Sequence, residues 1–163
     1  AEIKTATVTK HQMTLMPLSP TPNYFAQLID QLLGTPYGWG GLYFYNDCSG
    51  TLKSLFTPFG LWLPRNSKAQ SDMGTKTRLD SRSPSSQKEL LRQAKPFYTL
   101  IYLQGHIMMY IGQGPNDKLI TFQNFWAFIT KDSDGAEGRA IVGKAALMDY
   151  IPYTQIPYYM VSL

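Results

Sequence analysis

The sequence predicts an α+β fold, with helices first and an antiparallel sheet after them, on three observations. Apolar residues recur at helical spacing in the first half of the chain. Beyond Pro96 the pattern changes to short runs rich in aromatic and β-branched residues, with turn clusters between them. The 163 residues suffice for one domain with a sizeable core, with or without a short appendage.

The elements follow in order. Ile3–Lys10 holds enough Thr and Val for one strand, and Met13–Pro22, with three prolines, reads as an extended linker. The first helix is expected over Thr21–Leu33, with Thr21 as N-cap, Pro22 at the first position and Gly34 as the stop. A turn through Pro36 leads into a glycine-rich loop. A second helix starts at Asp47 or Cys48, presents Leu52, Leu55 and Phe56 on one face, and ends at Pro58 and Gly60. Residues 66–86 are polar and read as a long excursion, and Ser86–Ala94 as a short helix. Strands are expected over Phe97–Leu103, His106–Gly112, Leu119–Phe128 and Arg139–Met148. The Gly112–Asp117 cluster joins two of them in a hairpin, and Lys131–Gly138 forms another loop.

Net charge is +4, mild and scattered, with no basic stripe interleaved with stacking aromatics, so nucleic acid is not an expected partner. No apolar run reaches the roughly 18 residues of a membrane span. One Cys and two distant His, His11 and His106, give no metal-ligand spacing, and no cofactor is expected. The chain opens Ala1-Glu2-Ile3 without an initiator Met or an apolar leader, as expected of a processed, exported protein.

The chemistry concentrates in two stretches. Cys48, the sole cysteine, follows the glycine-rich loop and opens a helix, where unpaired N–H groups and a partial positive charge favour a thiolate. His106 stands at the start of a strand-like run after Gly105, the position of a rigidly held base. A base needs a third polar group on its other ring nitrogen, and the next strand offers Gln123 and Asn124. Alternation of faces lets only one of these look toward His106. His11 lies in the linker-like segment and is incidental.

Four blocks then carry a resemblance: Pro36-Tyr-Gly-Trp-Gly-Gly41, Asp47-Cys-Ser-Gly50, Leu63-Pro-Arg-Asn-Ser-Lys-Ala-Gln70 and Gly105-His-Ile-Met-Met-Tyr-Ile-Gly112. In order and spacing, over roughly residues 21–128, they resemble the signatures of the NlpC family of bacterial cell-wall cysteine peptidases. The resemblance implies a papain-like fold that hydrolyses peptidoglycan stem peptides, typically between γ-D-Glu and a diamino acid, in the periplasm or cell wall. It implies Cys48 as nucleophile, His106 as base, and Gln123 at the third position, where the family often has His. It implies Tyr37 as an oxyanion donor beside the Cys48 N–H, Asp47, Ser49 and Ser67 as readers of the stem peptide, and Trp39 as a groove wall. Asp47 pairs with a free L-Ala amine in members that cut released muropeptides. The proline-rich lead-in and Phe122-Gln-Asn-Phe-Trp126 resemble a subgroup with upstream SH3-like domains. On that basis residues 1–20 are an extension or linker, a remnant of such a domain, and 21–163 the catalytic domain. Two other classes of function remain open: a peptidoglycan-binding module with weakened catalysis, and an amidase or acyl transferase on another target. Oligomeric state is not legible.

Overall fold

Thr21 accepts a hydrogen bond from the Tyr24 N–H and Pro22 takes the first helical position, and together they start α1, Pro22–Leu32. The computed structural model describes residues 3–10, 13–153 and 157–163; His11 lies outside them. Asp47 caps α2, Cys48–Phe56, through the Gly50 N–H at 2.8 Å. A 3-10 turn over Thr57–Phe59 closes it, with Gly60 left-handed at φ +71°. Phe25 of α1 packs against Phe56, Phe59 and Phe97, with ring centroids 4.2–5.4 Å apart.

The stretch expected to be an excursion is partly ordered. Asn66 caps the short α3, Ser67–Ser71, and β1 follows at Thr75–Arg78. Ser83 caps α4, Pro84–Gln93, which begins two residues earlier than its apolar spacing suggested. The remaining strands are β2 (Thr99–Leu103), β3 (His106–Gln113), β4 (Leu119–Lys131), β5 (Glu137–Asp149) and β6 (Tyr158–Ser162). They form one sheet in the order β1-β6-β2-β3-β4-β5, with every neighbouring pair antiparallel.

Side-chain alternation gives the central strands two buried faces. Leu100, Ile107, Met109, Phe122 and Val161 pack with α1 and α2, while Ile101, Met108, Tyr110 and Tyr158 pack with Leu91 of α4. Beyond Phe125, β4 and β5 leave this body as a long hairpin, after a register shift between Phe125 and Ala127. The expected loop at 131–138 shrinks to its tip, where Asp132 Oδ1 accepts from the N–H groups of Asp134 and Ala136.

Two expectations fail. Ile3–Lys10 forms no strand: neither edge strand, β1 nor β5, takes it as a partner. The sheet instead gains β1 and β6, whose pairing partners lie some eighty residues apart in sequence and give no local signal. No helix among the described residues is long and apolar enough to cross a membrane.

Candidate active site

The glycine-rich loop is stitched down at both ends. Gly34, Thr35 and Tyr37 exchange backbone hydrogen bonds with Ala145 and Gly143 on β5, and the Gly38 N–H donates to Asn46 O at 3.0 Å. A Cβ on Gly38 would stand 2.4 Å from Tyr45 O, so this crossing requires glycine. The loop delivers the chain to Asp47 and the first turn of α2.

Cys48 is buried, at 6% exposure, where α2 meets β3. Burial pushes its thiol above the usual value. The backbone N–H of Ile107, on β3, and those of Ser49 and Cys48 itself pull the other way, while Asp47 adds to the rise. The residue before Ile107 is His106. The Gln104-Gly105 turn closes the β2–β3 hairpin, with Gly105 at φ +86°, and sets His106 opposite Leu103 at the start of β3. Cys48 and the residue that follows His106 thus meet where α2 packs on β3.

His106 Nε2 lies 2.8 Å from Gln123 Oε1. A carbonyl oxygen only accepts, so Nε2 carries the proton and Nδ1 keeps its lone pair. The Gln123 amide nitrogen points to Thr121 Oγ1 at 3.4 Å, in keeping with that orientation. Burial holds the His106 ring below its ordinary pKa, and the Gln123 contact only partly offsets this. Burial thus disfavours the charged form of each, the thiolate of Cys48 and the imidazolium of His106. Asn124, the other amide on this strand, faces away and donates to Asn46 O (2.9 Å) and Thr51 Oγ1 (3.0 Å).

The remaining expected site residues are distributed unevenly. The half-buried Tyr37 hydroxyl is pushed up to about 12, first by burial and then by the proximity of Cys48 and Asp47, with Arg65 opposing. It is a neutral donor at any working pH. Trp39 is 66% exposed and meets the Tyr37 ring edge-on at 5.7 Å. Ser49 Oγ donates to Arg65 O at 2.8 Å and to Asp47 Oδ1 at 3.1 Å. Ser67 is half-buried at the first position of α3, two residues beyond Arg65.

Arg65 was not singled out by the sequence reading, although it stands inside the Leu63–Gln70 block. Its guanidinium grips Asp47 through two parallel contacts of 2.9 and 2.8 Å. Burial works to raise the Asp47 carboxyl, but hydrogen bonds from Arg65, Gly50 and Ser49 hold it below the usual range. Both oxygens of the residue expected to meet a substrate amine are thus engaged within the protein.

The NlpC/P60 family profile matches residues 34–120, more than half of the chain. No curated protein matches the sequence. Among solved structures, an NlpC/P60 endopeptidase from Photobacterium damselae subsp. piscicida is similar at a TM-score of 0.82 and 30% identity, over 91% of this chain and 40% of that one. This chain therefore spans well under half of that protein. RipD of Mycobacterium tuberculosis, a non-catalytic NlpC/p60 domain protein adapted to peptidoglycan binding, aligns at TM-score 0.53 and 16% identity over 87% of this chain and 96% of its own. An NlpC/P60 family protein from Bacillus cereus gives 0.51 and 18%, over 89% and 41%. The last two likenesses speak for the fold alone. With the family profile matching more than half of the chain and covering all four sequence blocks, the chain belongs to the NlpC/P60 family.

Proposed function

We propose that this protein is an exported cysteine endopeptidase that hydrolyses peptidoglycan stem peptides at the γ-D-Glu–diamino acid bond. In this reading 21–163 is the catalytic domain and 1–20 a lead-in from an upstream SH3-like module. The observation that carries the proposal is the 2.8 Å contact of His106 Nε2 with Gln123 Oε1, which leaves Nδ1 as the basic ring nitrogen of the residue next to Ile107, whose N–H reaches Cys48.

Cys48 Sγ attacks the scissile carbonyl carbon while its proton passes to His106 Nδ1. Charge on the carbonyl oxygen is met by the Cys48 N–H and the Tyr37 hydroxyl. The carbon–nitrogen bond then breaks, and His106 returns the proton to the departing amine. Water, deprotonated by His106, attacks the thioester and releases the acid and the thiol. Asp47 and Arg65, linked as a pair, together with Ser49 and Ser67 read the stem peptide, and Trp39 walls the groove.

The test is incubation with purified peptidoglycan and with L-Ala-γ-D-Glu-diaminopimelate, beside Cys48→Ala, with products read by mass spectrometry. Cleavage after γ-D-Glu that vanishes in Cys48→Ala is expected. Equal degradation by the variant would sink the proposal. A second reading, a wall-binding module, draws on the burial that works against the charged forms of Cys48 and His106. Peptidoglycan binding without cleavage at any pH would favour it.

A further inference from the structure

Gln70 is the fourth residue of α3, and none of its surface is exposed. Its Nε2 donates to two backbone carbonyls, Ser49 O in the first turn of α2 and Pro64 O in the loop before α3, both at 2.8 Å. Both amide protons are spent on these bonds, so the nitrogen end of the carboxamide is the end that faces them. Ser49 is the residue after Cys48, and Pro64 is the residue before Arg65. The two segments meet a second time where Ser49 Oγ donates to Arg65 O at 2.8 Å, and a third where Arg65 grips Asp47. The Arg65 cation is about half exposed, so water weakens that ion pair as an anchor. The Gln70 bond to Ser49 O is buried, where no water competes for the carbonyl.

We infer that Gln70 is a positioning residue: its carboxamide clamps the backbone at Pro64 and Arg65 to the first turn of α2, and so sets where the Arg65–Asp47 pair stands relative to Cys48. The inference rests on the peptidase reading only for its effect on substrate, because that reading makes the pair a reader of the stem peptide. The reacting groups have separate supports. Gln123 holds His106, and Asn124 ties the start of α2 to β4 through Asn46 O and Thr51 Oγ1. Without the clamp, Arg65 loses its fixed backbone and turns part of the time to water, while thiol and base keep their places. A glutamine that merely fills the core would cost stability when replaced and leave the pair where it is.

Gln70→Met keeps the length of the side chain and removes both bonds. Isotope-edited NMR of the Asp47 carboxyl carbon reads the pair without any substrate. In the parent, burial works to raise this carboxyl, yet the Arg65 contact, with Gly50 and Ser49, holds it below the usual range. In Gln70→Met it is expected to titrate at higher pH. Calorimetry with L-Ala-γ-D-Glu-diaminopimelate, in the Cys48→Ala background, is expected to show binding weaker by about three- to tenfold, the worth of a hydrogen bond. In the Cys48 protein KM rises by the same factor and kcat stays within about twofold. An unmoved Asp47 titration, or a lower melting temperature with unchanged affinity, overturns the inference. Where Gln70→Met does not fold, Gln70→Glu, which keeps the shape but offers at most one proton to two carbonyls, is read by its binding. Failure of both to fold makes Gln70 a core residue and overturns the inference as well. A moved titration and weaker binding with no cleavage by the Cys48 protein leave this inference standing and sink the peptidase reading. Cleavage with titration and KM both unchanged does the reverse. If the parent binds no peptide, the Asp47 titration alone decides.

Discussion

Gln123 and Asn124 are consecutive on β4 and hold opposite halves of the candidate active site: Gln123 bonds His106 on one face, and Asn124 bonds Asn46 and Thr51 on the other. Asn46 and Thr51 bracket Cys48 in sequence. One dipeptide on β4 thus sets the spacing between His106 and the helix that bears Cys48.

Replacing Asn124 with Ala strips two buried acceptors of their donor and is expected to cost about 1–3 kcal/mol of stability. Denaturant unfolding measures this. Because α2 is then released from β4, kcat should fall while KM for a short stem peptide stays within about twofold, a kinetic split characteristic of lost positioning. Loss of stability with unchanged kcat would make Asn124 a core residue only.

Gln123→Ala leaves the His106 ring free to rotate and to change tautomer. The expected fall in kcat/KM is on the order of 10- to 100-fold, part of what a positioned general base supplies. Gln123→Glu, whose carboxylate favours imidazolium, should move the acid limb of the pH–rate profile upward. An unmoved limb would mean that the residue does not touch the ring in the working enzyme.

The pH dependence of stability follows from burial. His106 is held below its ordinary pKa of 6.5, so beneath that pH the unfolded chain binds a proton the folded chain refuses, and stability declines as pH falls. Cys48 is held above its ordinary 9.0, so above that pH the unfolded thiol ionises first and stability declines as pH rises. Between these limits the two groups contribute a plateau. Thermal melts of the parent and His106→Gln should diverge on the acid side, with the variant losing less. Alkylation of Cys48 by iodoacetamide should be slow at neutral pH and accelerate only in alkali, with no low-pH thiolate plateau.

Tyr37→Phe removes the hydroxyl and leaves the ring that Trp39 packs against. If it donates to the oxyanion, kcat falls about 10²-fold with KM unchanged. Steady-state kinetics on the soluble peptide decide it, and a rise in KM alone would place Tyr37 in substrate binding.

Arg65→Ala breaks an ion pair whose cation is about half exposed, so its effect on stability should stay within about 1 kcal/mol. Asp47→Ala removes the helix cap as well and should cost about 1 kcal/mol more. Chemical denaturation of the two variants side by side separates pairing from capping.

Much of this architecture was legible in the chain. Pro22 after Thr21, and Asp47 before Cys48, mark helix starts through local chemistry, and both helices begin there. The strands after Pro96 show themselves through aromatic and β-branched content. The segments that escaped notice depend on distant partners. Thr75–Arg78 is short, polar and exposed, and it is a strand only because Tyr158–Ser162 lies beside it. Alternation alone left Gln123 and Asn124 both open, and it was the family resemblance that pointed to Gln123, the residue whose side chain meets His106. Arg65 escaped because its role is defined by Asp47, eighteen residues earlier and on another element.

The placement of β6 between β1 and β2 has a consequence for biosynthesis. The edge strand β1 stays apart from the rest of the sheet until residues 158–162 have emerged from the ribosome, because β1 and β2 each pair with β6 and not with one another, whereas β2 to β5 pair without it. A nascent chain that already contains Cys48, His106 and Gln123 can therefore pair β3 with β4 but leaves the outer edge of β2 open, a template for pairing with another chain.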